Sequence, residues 1–359
     1  MAIAVPSDPI IRLVFWVTIG VLLLDVCLLL LLLVMRYLLL SSTKRQQQFL
    51  EVWRPILMQS LVAPPESIPR LQKSERVQLL SLWNQIHASV RGKLQDNLNQ
   101  IGLEMGIDLM AMQLLHKGDL THQLIAIATL GHLRQKSAWP ALQKLVLMRH
   151  PTISAAAARA LVQIDDTAAI SWLATPICDR IDWSLIQVVQ ILREVNLTTD
   201  IQPLLNEVLY ASPSQSLRLF RVLELTHAAR LVSIVPQLLE SPNANLESIA
   251  ACLRILGQFP SHQNLKLARQ YVTHPSWIVR VQAANALGKI GVKEDEAQLI
   301  VMLSDRRWWV RYRAAQALAK LPFVSVARLR EIRASQSDRY ARDILTQVIA
   351  EKEVSDVGV

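Results

Sequence analysis

The segment His274–Gly288 reads HPSWIVRVQAANALG, and thirty-one residues further on Asp305–Ala319 reads DRRWWVRYRAAQALA. Trp277 matches Trp308, Val279-Arg280 matches Val310-Arg311, Ala283-Ala284 matches Ala314-Ala315, and Ala286-Leu287 matches Ala317-Leu318. Carrying the same period through the chain puts a leucine in register at Leu130, Leu161, Leu192, Leu223, Leu256, Leu287 and Leu318, and only the step from Leu223 to Leu256 is two residues longer. A second series follows twelve residues behind, at Leu142, Leu173, Leu204, Val235, Ala268 and Leu299. Two apolar series in fixed phase mark a repeat whose units bury their faces against one another. Each unit has room for two helices of about three turns and two tight connections. Pro140, Pro151, Pro203, Pro213, Pro242, Pro260, Pro275 and Pro322 supply breakers between them. Composition agrees: 52% of the 359 residues are apolar and only 10 are glycine, which disfavours a turn-rich all-β domain.

These residues resemble the HEAT-like repeat family, in the short form shared with phycobilisome lyase-type proteins. The resemblance is carried by Val279-Arg280, Ala283-Ala284 and Ala286-Leu287-Gly288, by their recurrence from Val310 to Leu318, and more loosely by Ala157-Ala158 and Ala160-Leu161. It is specific over Pro275–Pro322, fair over Leu120–Ile164 and degenerate over Ile181–Gly257, where only the apolar register survives. It implies an all-α fold, with a right-handed α-solenoid of about seven to eight helix pairs over 120–349. The paired alanines let consecutive helices approach closely while the register leucines fill the space between layers. Region 74–119 carries a helical stripe at Leu79-Leu80, Leu82-Trp83, Ile86 and Val90 and reads as an N-terminal helical capping region, with a turn over Gly102–Ile107. Residues 350–359 read as a frayed C-terminal tail.

The N-terminal 1–40 has a different character. Leu13–Met35 is apolar enough and, at 23 residues, long enough to cross a hydrocarbon core of about 30 Å. Asp8 ahead of the run and the lack of an Ala-x-Ala exit favour a retained anchor over a cleaved signal. Arg36, Lys44, Arg45 and Arg54 follow the span, while Arg12 precedes it beside Asp8, so the expected topology is single-pass in the inner (cytoplasmic) membrane, N-terminus out, with the C-terminal domain cytoplasmic. Residues 41–73 read as a juxtamembrane helix and a linker broken by Pro64, Pro65 and Pro69. Asp25 lies mid-span, where an aspartate costs about 2.5 to 3.5 kcal/mol. It is a candidate intramembrane contact with another membrane protein's helix, against the plainer reading of one neutralised carboxyl.

Chemistry is sparse. The chain has no phosphate loop, GxSxG elbow, HExxH helix or CxxC, its eight histidines are scattered, and Cys27, Cys178 and Cys252 lack metal-ligand spacing. Among HEAT-like enzymes, the deoxyhypusine hydroxylase type binds iron through His-Glu dipeptides, and this sequence contains none. No catalytic residue, metal or cofactor is assigned, and the chain reads as a non-enzyme.

Charge is uneven. Between Asp305 and Leu345, ten Lys/Arg face four Asp/Glu, which accounts for six of the nine surplus positive charges of the chain. Arg306, Arg307, Trp308, Trp309, Arg313, Arg330 and Arg333 form a candidate partner-binding patch, because guanidinium and indole groups make interface anchors. The competing reading gives Arg280 and Arg311 to the repeat ladder, paired with a turn acid such as Asp305. The expected function is a membrane-anchored cytoplasmic scaffold or adaptor. Its partner would be a protein, another membrane protein for preference, with membrane lipid also in reach and nucleic acid disfavoured. A setting such as a glycosyltransferase or polysaccharide export complex would suit it. The alternatives are a lyase-type HEAT enzyme acting on a bound chromophore or modified protein, and a membrane-tethered nucleic-acid binder. The sequence leaves the oligomeric state open.

Overall fold

The computed structural model describes residues 9–65, 67–241 and 244–357, and among these the side chains except those of 9–15, 37–43, 117 and 355–357. Asp8, the Arg12 side chain and Pro242, used in the sequence reading, lie outside these described residues. Every regular element within them is helical. The chain divides into two compact units, 1–129 and 130–359.

The first unit opens with α1 (Pro9–Gln59), 51 residues without interruption. At 1.5 Å per residue this helix is about 75 Å long. Its segment Trp16–Arg36 has a mean hydropathy of 3.0, is long and apolar enough to cross a membrane, and has no residue buried by the rest of the chain. The sequence reading separated an anchor ending at residue 40 from a juxtamembrane helix. The structure joins them, because the polar run Ser41–Gln48 contains neither Gly nor Pro and nothing interrupts the backbone ladder. Beyond Gln48 the helix becomes amphipathic: Phe49, Trp53 and Leu57, four residues apart, and then Leu61 are buried, and α1 packs on α2 (Arg76–Ser89). The Asn97 side-chain amide donates to Leu61 O at 2.8 Å, tying the end of this stripe to α3 (Lys93–Glu104). The anticipated stripe on α2 is buried at Leu79, Leu80, Leu82, Trp83 and Ile86, while Val90 is its half-buried C-cap. The turn expected over Gly102–Ile107 narrows to Met105–Gly106, with Gly106 left-handed at φ 68° ahead of α4 (Ile107–Lys117). The division between units falls within α5 (Leu120–His132).

The second unit is a run of helix pairs: α6 (Trp139–Val146) and α7 (Pro151–Ile164), α8 (Asp166–Asp179) and α9 (Leu185–Leu192), α10 (Gln202–Tyr210) and α11 (Pro213–Thr226), the short α12 (Ala228–Leu231) and α13 (Val235–Glu240) before α14 (Leu246–Leu256), α15 (His262–Gln270) and α16 (Trp277–Ile290), α17 (Asp295–Met302) and α18 (Trp308–Lys320), and α19 (Val326–Ser335) and α20 (Arg339–Val357). Helices α7, α9, α11, α14, α16, α18 and α20 pack each on the next. Prolines mark the helix starts, at the first turn of α6, α7, α10, α11 and α13, where a missing N–H costs nothing. Ser184, Asn245, Ser261 and Ser325 cap others through their side chains. All thirteen residues of the two register series are fully buried, which is why the period persists where the rest of the motif has decayed. The two extra residues of the register fall between Val235 on α13 and Leu256 on α14.

Close approach explains where the motif is strong. A Cβ on Gly288 would meet Ala317 Cα at 2.6 Å, and one on Gly257 would meet Ala286 Cα at 3.0 Å. One on Gly131 would likewise meet Ala160 Cα at 3.0 Å. In the intervening repeats the corresponding position holds Val162, Arg193 and Glu224, and polar ties appear near them. Arg159 pairs with Glu194, Arg254 with Glu224 at 3.1 Å, and the Asp166 carboxylate accepts from Asn196 N, Asn196 Nδ2 and Thr199 Oγ1. At the C-terminal end α20 runs to Val357, past residue 349 where the stack was expected to give way to a frayed tail; it turns Ala341, Ile344, Leu345, Val348 and Ile349 inward.

Candidate functional site

The last three helix pairs hold the partner-binding residues singled out in sequence. Arg280, in the first turn of α16, is buried with its guanidinium fully engaged: Nε and Nη2 donate to the two Asp305 carboxylate oxygens at 2.7 and 2.9 Å, and Nη1 donates to His274 O and Pro275 O. Burial raises the Asp305 carboxyl, but the Arg280 guanidinium and the Arg307 amide outweigh it and hold the group below the usual carboxylate range. One repeat later Arg311 keeps the backbone contact, donating to Asp305 O at 2.8 Å, yet among the described residues no carboxylate lies within ion-pair distance, and its guanidinium rests 5.3 Å from the centre of the Tyr340 ring. The ladder pairing expected of both arginines therefore holds for Arg280 alone.

Trp277 is half-buried, whereas its repeat-mate Trp308 is 42% exposed and Trp309 is 51% exposed. Their rings meet edge to face at 4.7 Å, and Trp308 stacks on Tyr312 at 5.0 Å. Arg313 lies 6.0 Å over Tyr312 and donates to Gln316 Oε1 at 2.7 Å. The Tyr312 hydroxyl reaches Glu351 of α20 at 3.2 Å; desolvation, then this carboxylate, push the phenol above its ordinary range. Arg330 and Arg333 lie on α19, and both turn to α20, to Glu353 at 2.5 Å and Thr346 Oγ1 at 3.4 Å. Trp308, Trp309 and Arg313 thus form one local cluster on α18, Arg306 and Arg307 lie in the turn before it, and Arg330 and Arg333 are engaged with the closing helix. Tyr312 and Tyr340 belong beside this group and carried no distinguishing signal in sequence.

An open cavity of about 560 Å³ lies between the turn after α15 and the turn after α17; Val272, His274, Pro275, Val301, Met302 and Arg306 are among its lining residues. Val301 on its lip is 74% exposed. Asp25 lies on α1 within Trp16–Arg36 with its side chain exposed.

Nucleophiles and ligands do not gather. Among the described residues no group of three or more His, Cys, Asp and Glu could hold a metal ion. Cys178 and Cys252 are buried, and desolvation pushes their thiols up to about 11 and about 12, far from the thiolate range. His227 is buried as well; desolvation, then neighbouring Arg230, lower its imidazole below the ordinary value.

Residues 108–193 and 231–319 match the family model for HEAT repeats, together just under half of the chain. Similar solved structures include an engineered protein, 15% identical with a TM-score of 0.33, the match covering 83% of this chain and 88% of that one. Another is human deoxyhypusine hydroxylase in complex with glycerol, 16% identical with a TM-score of 0.27, covering 88% of this chain and 99% of that one. No curated protein matches the sequence. The stretches that match the family model contain eleven of the thirteen buried register positions and the Arg280–Asp305 pair, so the all-α stack carries HEAT repeats over those stretches.

Proposed function

We propose that this chain is a membrane-anchored, non-enzymatic scaffold that holds a protein partner, itself a membrane protein, at the cytoplasmic face of the inner membrane. The observation that carries the reading is the continuity of α1: one helix has no buried residue over the apolar stretch Trp16–Arg36 and then contributes Phe49, Trp53 and Leu57 to the core of the first unit. A segment with so much exposed apolar surface requires an apolar surround. Lys44, Arg45 and Arg54, all exposed beyond the span, favour a cytoplasmic location for everything that follows. HEAT stacks offer long continuous surfaces suited to proteins. Within the span, Asp25 would meet a polar or basic group on a partner helix.

Purification of the full chain from membranes in mild detergent tests this. A stoichiometric membrane protein should accompany the wild type and be depleted by Asp25→Leu, which leaves insertion intact. Recovery of the chain in the soluble fraction, or as a lone monomer carrying a coloured small molecule, would refute the scaffold.

A further inference from the structure

We infer that the cavity between the turn after α15 and the turn after α17 docks an acidic protein segment, which places an apolar side chain against Val272, Pro275, Val301 and Met302 and a carboxylate on Arg306 or Arg307. This deepens the scaffold reading and rests on it in taking a protein as the occupant.

Shape is the first support. A cavity of about 560 Å³ accommodates a large apolar side chain with its neighbouring backbone, and its wall already presents apolar groups to solvent. Val301 follows the buried Leu299 on α17 yet is 74% exposed, so it adds nothing to the core and stands free at the lip.

Charge supplies the second. Among the described residues Asp305 is the only carboxylate lining the cavity, and it is committed to Arg280 and to the Arg307 amide. Among the described residues no carboxylate lies within ion-pair distance of Arg306 or Arg307. Two other turns at the same place in the repeat behave differently. Arg180 is neutralised by Asp182 through two contacts of 2.7 Å, and the connection between α13 and α14 is flanked by Glu240 and Glu247. The turn after α17 therefore carries two arginines with no ion-pair partner beside the cavity, with the exposed Trp308 and Trp309 next in the chain. A lipid surface is the poorer occupant, because Asp179 and Glu240, at the helix ends beside the corresponding turns, would be repelled by anionic head groups.

The test uses the full chain in phosphatidylcholine nanodiscs, panned against a phage-displayed random peptide library, with selected peptides then measured by fluorescence anisotropy. Peptides should emerge with Asp and Glu around a Leu, Ile, Phe or Trp. Their affinity should fall by about tenfold or more in the double variant Arg306→Glu, Arg307→Glu and in Val301→Glu, and hold in Arg330→Glu, with helical content unchanged throughout. Selection without acidic bias, equal affinity for the double variant, or binding to phosphatidylglycerol nanodiscs in place of peptides would overturn the inference. If the double variant retains the co-purifying membrane protein, the inference fails alone. If no membrane protein co-purifies while acidic peptides still bind this cavity, the anchored-scaffold reading fails alone.

Discussion

Replacing Gly288 by alanine sets two physical effects against each other within one methyl group. Alanine is the better helix former, and in an unconstrained helix interior the change gains about 0.8 to 1.0 kcal/mol. In this stack the new Cβ would stand 2.6 Å from Ala317 Cα and 2.7 Å from Ala317 Cβ. Carbon atoms rest at about 3.5 to 4.0 Å, so α16 and α18 would have to part by about 1 Å. The obstacle is backbone and a methyl group, neither of which can rotate away. Overpacking of this kind costs about 1 to 3 kcal/mol, which set against the propensity gain leaves an expected net loss of up to about 2 kcal/mol. Gly257→Ala is the internal control, since its Cβ would meet Ala286 Cα at 3.0 Å and should come out near neutral. Urea unfolding of the full chain in detergent, followed by circular dichroism, gives the ranking. Hydrogen exchange across 277–320 localises it, because repeat stacks can unfold in parts. A Gly288→Ala protein more stable than wild type, or indistinguishable from Gly257→Ala, would refute the claim that this glycine sets the helix separation.

Further outcomes follow from buried groups. Arg280→Met leaves Asp305 charged, part-buried and unpaired and should cost about 3 to 5 kcal/mol in the same assay, more than Arg330→Met, whose partner is exposed. Because the folded Asp305 carboxyl lies below its unfolded value, it contributes stability above about pH 4 that is lost as pH falls further, and Asp305→Asn should flatten that part of the profile. His227 has its folded pKa lowered, so the unfolded chain binds the proton first and stability should decline as pH drops below about 6.5; His227→Leu should remove that slope. Cys178 and Cys252 should resist aromatic disulfide reagents at pH 8 until the stack unfolds, and prompt reaction of either would contradict their burial.

What the sequence disclosed depended on how many residues had to agree. The register leucines were legible because each layer needs a filler at the same depth, and Leu130 to Leu318 answer to that need whatever their neighbours are. Arg280 and Asp305 were legible as a pair because the repeat sets them in adjacent layers. The continuity of α1 was not, since a change from leucines to Gln46, Gln47 and Gln48 looks like a boundary in composition although helix propensity barely changes across it. The basic patch was half legible. A count that stops at Leu345 omits Glu351 and Glu353, which α20 returns to Tyr312 and Arg330, and it omits Glu296, which takes Arg328. The cavity had no sequence signal of its own, because its two walls come from turns separated by a full repeat and neither Val272 nor Val301 is unusual alone.

A helix transmits orientation as well as position. The thirteen residues from Arg36 to Phe49 rise about 20 Å with no break in α1, so the first unit behaves as the head of a post and not as a ball on a string. A flexible linker of that length would let its load wander through a volume with an end-to-end distance of about 18 to 22 Å in any direction. The post confines the load to one height and couples every tilt of the span to a swing of what stands on it. If Trp16–Arg36 spans a bilayer as proposed and Asp25 meets a partner helix there, repacking of that helix would become a lever stroke some tens of ångströms away along α1.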